Sequence, residues 1–460
     1  MMEIRAVRTP GLGDSTYVLV HDGVAVVVDP QLDHDRFVAV IEDTGAQPRF
    51  VLETHVHNDY LSGGLSLSRE IDAELVFPAG AAPVFRHRPA FHHEDIDGGP
   101  LKLRPMHTPG HTPEHVSYLV IIEGRPVAVF SGGSLLVGSA GRSDLLGAER
   151  AETLARLQYG SVSRLASLPD DVGLYPTHGA GSFCTVSPAG SDTSTIGEER
   201  RHNPALIHTD EESFVSDHLS GLVPYPSYYA HMAPANLKGT EAPRSYEVPP
   251  IAVVDLEAIP DLVVIDARPG ADFARGHLPG SISIELREDF GVWAGWVVPS
   301  GSTLALVVNP DQSVEEGLRQ LARIGLEKVA GIITWPVDVE VETASFRTVD
   351  VEDFAAAVVD GAQILDTRAP DEWERGVIAS STLAYVPELV EENPAEIDPS
   401  REVWVACASG YRAGIAASFL ERRGIEPVVL TPGGVHRVLK VLSNRGATEW
   451  RAHPSNGGSD

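Results

Sequence analysis

The chain holds two cysteines, Cys184 and Cys407, and the surroundings of the second suit sulfur chemistry. Residues 403–406 form an apolar run that reads as a buried strand, and 413–423 read as a helix closed by Gly424. Cys407-Ala408-Ser409-Gly410-Tyr411-Arg412 joins them. A strand, a loop of small residues and a helix place the thiol at a helix N-terminus, with backbone N–H groups turned towards the sulfur. The dipole and Arg412 favour the thiolate, the form that receives or passes on a sulfur atom. A persulfide formed there is anionic and is held by the same donors. The alternative is a buried structural cysteine.

A second set of residues suits a metal. His55, His57 and Asp59 alternate in LETHVHNDYLSGG, His111 lies between Gly/Pro-rich turns in HTPGHTPEH, and His178 follows an apolar run in YPTHGAGS. Histidines and a carboxylate at the carboxyl ends of several strands suit Zn²⁺ or Fe²⁺. The set His55, His57 and His111 would hold one ion with an open position, leaving Asp59 and His178 to orient water or act as acid and base. Alternatively, Asp59 shifts inward and supplies the carboxylate. Cys184 follows His178 within a Gly-rich turn. It faces the same cleft, as a relay of sulfur to Cys407, or it is a small buried filler.

These residues need a scaffold. STYVLVHDGVAVVVDP reads as a hairpin, RFVLETH and PVAVFSGGSLLVG as strands, and 35–45 as a helix with a Gly stop. Such alternation predicts an α/β layered domain over 1–235. The Pro-rich stretch that follows predicts a linker at 236–250. Two similar units come next. LVVIDARPGADFARGHLPGS and QILDTRAPDEWERGVIASS both run strand, Asp-x-Arg, short helix and small residues, so 251–345 and 346–452 are expected to be two small α/β domains. The tail 453–460 is expected to be disordered.

The Cys407 loop resembles that of the rhodanese family, over about 347–450. Family members run six residues from Cys to Arg, and Cys407 and Arg412 match the ends. Related phosphatases have one residue more, so the resemblance implies sulfur rather than phosphate. Asp366 and Arg368 match the family's Asp-x-Arg element, which is taken as structural. The family's Gly-His-Ile-Pro-Gly stretch has become Gly376-Val377-Ile378-Ala379-Ser380. The preceding copy keeps GHLPGS but has Asn309 where the nucleophile belongs. Asn cannot carry a sulfur atom, so that copy is expected to be inactive, serving for docking or spacing.

Residues 1–235 resemble the metallo-β-lactamase superfamily, in the branch of glyoxalase II and persulfide dioxygenases, and hence imply an αββα sandwich. His55, His57 and Asp59 match its His-x-His-x-Asp-His motif, and His111 and His178 its third and fourth metal histidines. GSAGRSDL (138–145) and HGAGSFC (178–184) are similar to the members fused to rhodanese domains. Two positions depart. Tyr60 replaces the second-site His, and Gly133 replaces the Asp that ligates or bridges metal. A dinuclear hydrolase needs both. The persulfide dioxygenase iron site implied by the resemblance uses His55, His111 and that missing Asp.

The fusion implies processing of a low-molecular-weight persulfide coupled to sulfur transfer through Cys407, to an acceptor such as sulfite or in reverse. A glyoxalase II-like thioester hydrolase and a non-enzymatic persulfide carrier or sensor are the alternatives. Composition fits but does not choose among them. Asp plus Glu number 65 against 35 Lys plus Arg, and the net charge of −30 argues against nucleic-acid and anionic-membrane partners. Two cysteines exclude a disulfide scaffold. With no apolar leader at the N-terminus and no long apolar run, a reducing cytoplasm is expected, with self-association left open.

Overall fold

Asp22 and Gly23 adopt positive φ (44° and 78°), which closes a tight turn between β2 (Asp14–His21) and β3 (Val24–Val28). A computed structural model extends this hairpin into two sandwich sheets and describes residues 2–186, 192–208, 210–243, 245–336, 341–445 and 450–451. The chain divides into two units, Met1–Tyr246 with Leu318–Gly325, and Glu247–Gly317 with Leu326–Asp460.

In the first unit, one sheet runs β1 (Met2–Thr9), β2, β3, β4 (Gln47–Leu52), β5 (Glu74–Pro78), β6 (Arg88–Ala90). β1 to β3 are antiparallel and β3 to β6 parallel. The facing sheet comprises β7 (Ile96–Asp97), β8 (Lys102–His107), β9 (Val116–Ile122), β10 (Arg125–Gly132), β13 (Gly173–Pro176) and β14 (Ser194–Thr195). β11 (Leu135–Leu136) and β12 (Ser139–Ala140) form a small hairpin beside it. Tyr17, Leu19, Val28, Phe50 and Leu52 from one inner face pack with Leu103, Tyr118, Val120 and Phe130 from the other. α1 (Asp35–Thr44) and α2 (Gly64–Glu70) cover the first sheet through Phe37, Ile41 and Leu67. α3 (Ala148–Ala166) covers the second through Ala155, Val162 and Leu165. The result is the expected αββα sandwich. The loops after β4, β8 and β13 carry His55 and His57, His111, and His178.

The Pro-rich stretch differs from expectation. After α4 (Ile196–His202) and α5 (Glu211–Ser220), α6 spans Tyr229–Lys238 with Pro234 inside it, so the expected linker begins within a helix. The reason is tertiary. Asn236 on α6 donates to the His57 (2.9 Å) and Tyr60 (2.8 Å) carbonyls and accepts from Ser62 N–H (2.8 Å). These bonds offset the poor helix propensity of Pro. Leu318–Gly325 also groups with the first unit, where Arg323 pairs with the buried Asp33 at 2.6 Å.

The second unit holds two parallel sheets. The first is β16 (Ile282–Ser283), β15 (Leu262–Asp266), β17 (Thr303–Val308), β18 (Val329–Thr334), with α7 (Gly270–Arg275) and α8 (Phe290–Val297) between strands. The second runs β19 (Arg347–Val349), β24 (Pro427–Leu430), β23 (Val403–Ala406), β20 (Gln363–Asp366), β22 (Thr382–Leu383). The Asp-x-Arg elements behave alike. Arg268 forks onto Asp266 (2.6 and 2.9 Å) and reaches Gly276 O, while Arg368 forks onto Asp366 (2.7 and 2.9 Å) and reaches Gly376 O. Both pairs are buried and fix the turns after β15 and β20. The expected disordered tail lies outside the described residues. Among the described residues, no helix is long and apolar enough to cross a membrane.

Candidate functional site

Four histidine rings converge in the first unit. Centroids lie 4.9 Å apart for His55 and His111, 5.3 Å for His55 and His178, 5.1 Å for His111 and His178, and 4.1 Å for His55 and His57. All four rings are buried. Their neighbours determine where each ring keeps its proton. Thr54 Oγ1 gives its single proton to Asp29 Oδ2 at 2.7 Å, so His55 Nδ1–H donates into Thr54 Oγ1 at 2.8 Å and Nε2 is left bare. His111 Nδ1 lies 2.8 Å from the Arg142 carbonyl, which only accepts; His111 Nε2 is therefore bare, and it is buried without a partner. His178 Nδ1 lies 2.8 Å from Asp14 Oδ1; with the proton of this pair on Nδ1, its Nε2 is bare as well.

Bare nitrogens that face one another repel unless a cation lies between them. His55 Nε2 and His178 Nε2 are 3.3 Å apart, matching two nitrogens on one tetrahedral ion at ~2.0–2.1 Å each. The donors fit a single metal ion on this ground and on the orphaned His111 Nε2. Donor atoms of His55, His57 and His178 lie within 4.8 Å of one another, as do those of His111, His178 and Cys184. The expected trio of His55, His57 and His111 does not form such a group. His178 stands at the centre instead.

His57 is turned differently. Its Nε2 faces Glu53 Oε2 (3.1 Å), Asp29 Oδ1 (3.3 Å) and the Tyr60 hydroxyl (3.1 Å), while Nδ1 is buried and unpartnered. Burial pushes this imidazole down, but Asp29 and then Glu53 outweigh it and hold the pKa well above the usual value. A cation at Nδ1 therefore competes with a proton there. Tyr60 stacks on His57 at 4.3 Å and donates to the Asp29 carbonyl (3.3 Å). Burial pushes its phenol well above the usual range, so it sits as a neutral packing residue.

Asp59 lies on the other side, 3.4 Å from His178 Nδ1 and against Asp14. Burial raises Asp14 to about 7, and burial together with the Asp14 charge raises Asp59 to about 7. The two carboxylates titrate as a pair that holds one proton near neutrality.

Gly133 is closed to any side chain. A Cβ there would lie 2.2 Å from His111 Cδ2, so the His111 ring fills the path of the absent aspartate. Together with Tyr60, this removes two ligands of the superfamily's two-metal motif.

Several contributors carried no motif signal. Asp14, Asp29, Glu53 and Thr54 set the histidine protons. Gln158 on α3 accepts from His111 N–H (3.1 Å) and donates to the Ser134 carbonyl (2.8 Å). His115 stacks on His55 at 5.0 Å, but both its nitrogens are engaged, by Gly133 N–H (2.9 Å) and Thr108 Oγ1 (2.9 Å). Burial lowers it to about 3. Below about pH 6.5 the unfolded chain takes up a proton that folded His115 refuses, so its contribution is complete above 6.5 and stability falls as pH drops towards 3. Urea unfolding at pH 7 and pH 5 is expected to show that His115→Gln loses about 2 kcal/mol less than the parent on acidification.

In the second unit, Cys407 follows β23 and is buried at the N-terminus of α12 (Tyr411–Arg422), which starts two residues before the expected helix. Gly410 N–H donates to Sγ at 3.1 Å and Ser409 N–H at 3.5 Å. Gly410 adopts φ of 104°, and a Cβ there would meet Thr431 Oγ1 at 2.8 Å. Gly410→Ala is therefore expected to displace the loop and reduce turnover at Cys407 about 10-fold or more, read by initial rates, with most of the melting temperature retained. Arg412 also carries a partner that the sequence did not announce: its two terminal guanidinium nitrogens bond Glu372, one at 2.9 Å. Burial pushes Glu372 up, but Arg412 prevails and holds it below the usual carboxylate range. Trp293 and Trp296 of α8 stand edge-on to Tyr385, at 6.3 and 5.3 Å, on the approach to this loop. Asn309, at the corresponding position of the other sheet, donates to Asp272 (3.0 Å) and serves as a loop amide.

Residues 9–178 match the metallo-beta-lactamase superfamily, and residues 350–440 match the rhodanese-like domain. The human mitochondrial persulfide dioxygenase ETHE1 is 30% identical over 230 residues, covering 48% of this chain and 82% of that protein. A probable metallo-hydrolase of Burkholderia pseudomallei is 29% identical over 256 residues, covering 47% of this chain and 84% of that protein. A Staphylococcus aureus crystal structure described as a metallo-beta-lactamase superposes with a TM-score of 0.66 at 28% identity, covering 72% of this chain and 99% of that one. The chain belongs to the metallo-β-lactamase superfamily, on the persulfide dioxygenase and glyoxalase II side, and carries a rhodanese-like domain towards its C-terminal end. These findings support a role in sulfur metabolism.

Proposed function

We propose that the chain is a sulfurtransferase in which Cys407 receives and passes on sulfane sulfur, with the first unit processing a low-molecular-weight persulfide. The carrying observation is Cys407 Sγ held by the Gly410 and Ser409 N–H groups at the start of α12. The thiolate attacks the outer sulfur of a donor such as thiosulfate. The donor S–S bond breaks, and sulfite leaves with the electron pair. The Cys407 persulfide is stabilised by the same two donors. An acceptor thiolate or sulfite then attacks the terminal sulfur, and Cys407 leaves as thiolate without net oxidation.

In the first unit, His178 would hold one Fe²⁺ or Zn²⁺ together with His55 and His57, or together with His111. A bound divalent ion supplies Lewis-acid polarisation of substrate oxygen or sulfur. Asp14 and Asp59, both raised to about 7, hold one proton between them beside His178. The ligand set lacks the carboxylate of the implied dioxygenase site. Hydrolysis is the second reading, favoured by the likeness to a probable metallo-hydrolase, but it gives Cys407 no task.

Thiocyanate formation from thiosulfate and cyanide tests the transfer, with turnover expected from the full chain. Oxygen uptake with glutathione persulfide separates the readings of the first unit. Uptake by the iron-loaded protein indicates dioxygenation, and its absence alongside thioester cleavage indicates a hydrolase.

A further inference from the structure

Cys184 is fixed as firmly as the histidines, and by the same residue. The stretches 138–145 and 178–184 run together through the bridge between Gly141 and Thr185. Arg142 N–H donates to the Cys184 carbonyl at 2.9 Å, and the Arg142 carbonyl accepts His111 Nδ1–H at 2.8 Å. The buried Arg142 guanidinium donates to Phe183 O (2.8 Å) and forks onto Asp144, which locks this backbone in place. One residue thus sets both the thiol and the imidazole.

The thiol is fully buried and, among the described residues, donates to the Tyr229 hydroxyl at 3.9 Å. Donor atoms of Cys184, His111 and His178 lie within 4.8 Å of one another, and the buried His111 Nε2 next to them has no partner. Filling space does not require two bare nitrogens beside a thiol. Gly133 meanwhile denies the site its usual carboxylate, because the His111 ring stands where that side chain would pass.

We propose that Cys184 is a ligand of the ion held by His111 and His178, its thiolate replacing the carboxylate that Gly133 cannot supply. The inference rests on reading the histidine cluster as a metal site. Binding breaks the S–H bond, forms a sulfur–metal bond, releases one proton and changes no oxidation state. Soft thiolate with imidazoles selects Zn²⁺ or Fe²⁺ over hard cations.

Cobalt substitution tests it in the full chain. Chelator-stripped protein titrated anaerobically with Co²⁺ is expected to show visible ligand-field bands and a near-ultraviolet thiolate-to-cobalt charge-transfer band. Cys407→Ser is expected to keep that band. Cys184→Ser is expected to bind Co²⁺ at least ~10-fold more weakly and to lack the band. X-ray absorption of the zinc-loaded parent needs no variant and is expected to show one sulfur at about 2.3 Å. Cobalt bound without a charge-transfer band, a band that survives Cys184→Ser, or a shell of nitrogen and oxygen alone would overturn the ligand role while leaving the metal site intact. No cobalt bound by the parent would overturn the metal site and the ligand role together.

Discussion

Cys407→Ser is expected to lower thiosulfate:cyanide sulfur transfer at least ~10³-fold while leaving the melting temperature nearly unchanged. The side chain is small and buried at the end of β23, and Ser is close to isosteric, so packing around Ala406 and Val435 is retained. What is lost is a nucleophile able to form a stable sulfur–sulfur bond at neutral pH. The Gly410 and Ser409 N–H groups continue to point at position 407, but a hydroxyl there has no thiolate character to stabilise. Initial rates and a thermal melt on the same sample separate the two effects. Retained transfer would move the sulfur chemistry away from this loop.

Gly133→Asp has the largest expected effect on the first unit. On motif grounds alone, restoring the aspartate rebuilds a two-metal site; the packing predicts the opposite. The new Cβ would lie 2.2 Å from His111 Cδ2 and 2.7 Å from its Nε2, so the ring must move. That ring is pinned by the Arg142 carbonyl, and the His111 backbone N–H is held by the Gln158 side-chain oxygen. Overpacking of this kind costs about 1–3 kcal/mol, and burial of another carboxylate beside Asp14 and Asp59 adds to it. The first unit is expected to melt roughly 6–12 °C lower. Its metal content is expected to fall below one ion per chain, measured by elemental analysis. A variant that melts unchanged with two ions bound would contradict this account of Gly133.

Much of this site was legible from residue types alone. His55, His111 and His178 follow apolar strands, and strand ends sharing one sheet edge bring their loops together. Gly45 with φ of 63° ends α1 where a Gly stop was expected. The Cys407 loop was readable because strand, small residues and helix follow within one short segment. The misreadings have a common physical origin, in partners far away in the chain or in the backbone. The proton on His111 is set by a main-chain carbonyl, which no side chain announces. Glu53 stands two residues before His55, but only the turn after β4 brings it against His57. Glu372 meets Arg412 across 40 residues. The helix Tyr229–Lys238 overrides its own proline because Asn236 ties down the loop that holds His57 and Tyr60.

Mass spectrometry of the Cys407 peptide tests the central claim most directly. The full chain is incubated anaerobically with thiosulfate, digested without reductant, and compared with a sample rinsed in cyanide. The predicted result is a mass increase of one sulfur atom on the peptide containing Cys407, lost after cyanide. A Cys407 peptide that stays unmodified while thiocyanate accumulates would contradict it.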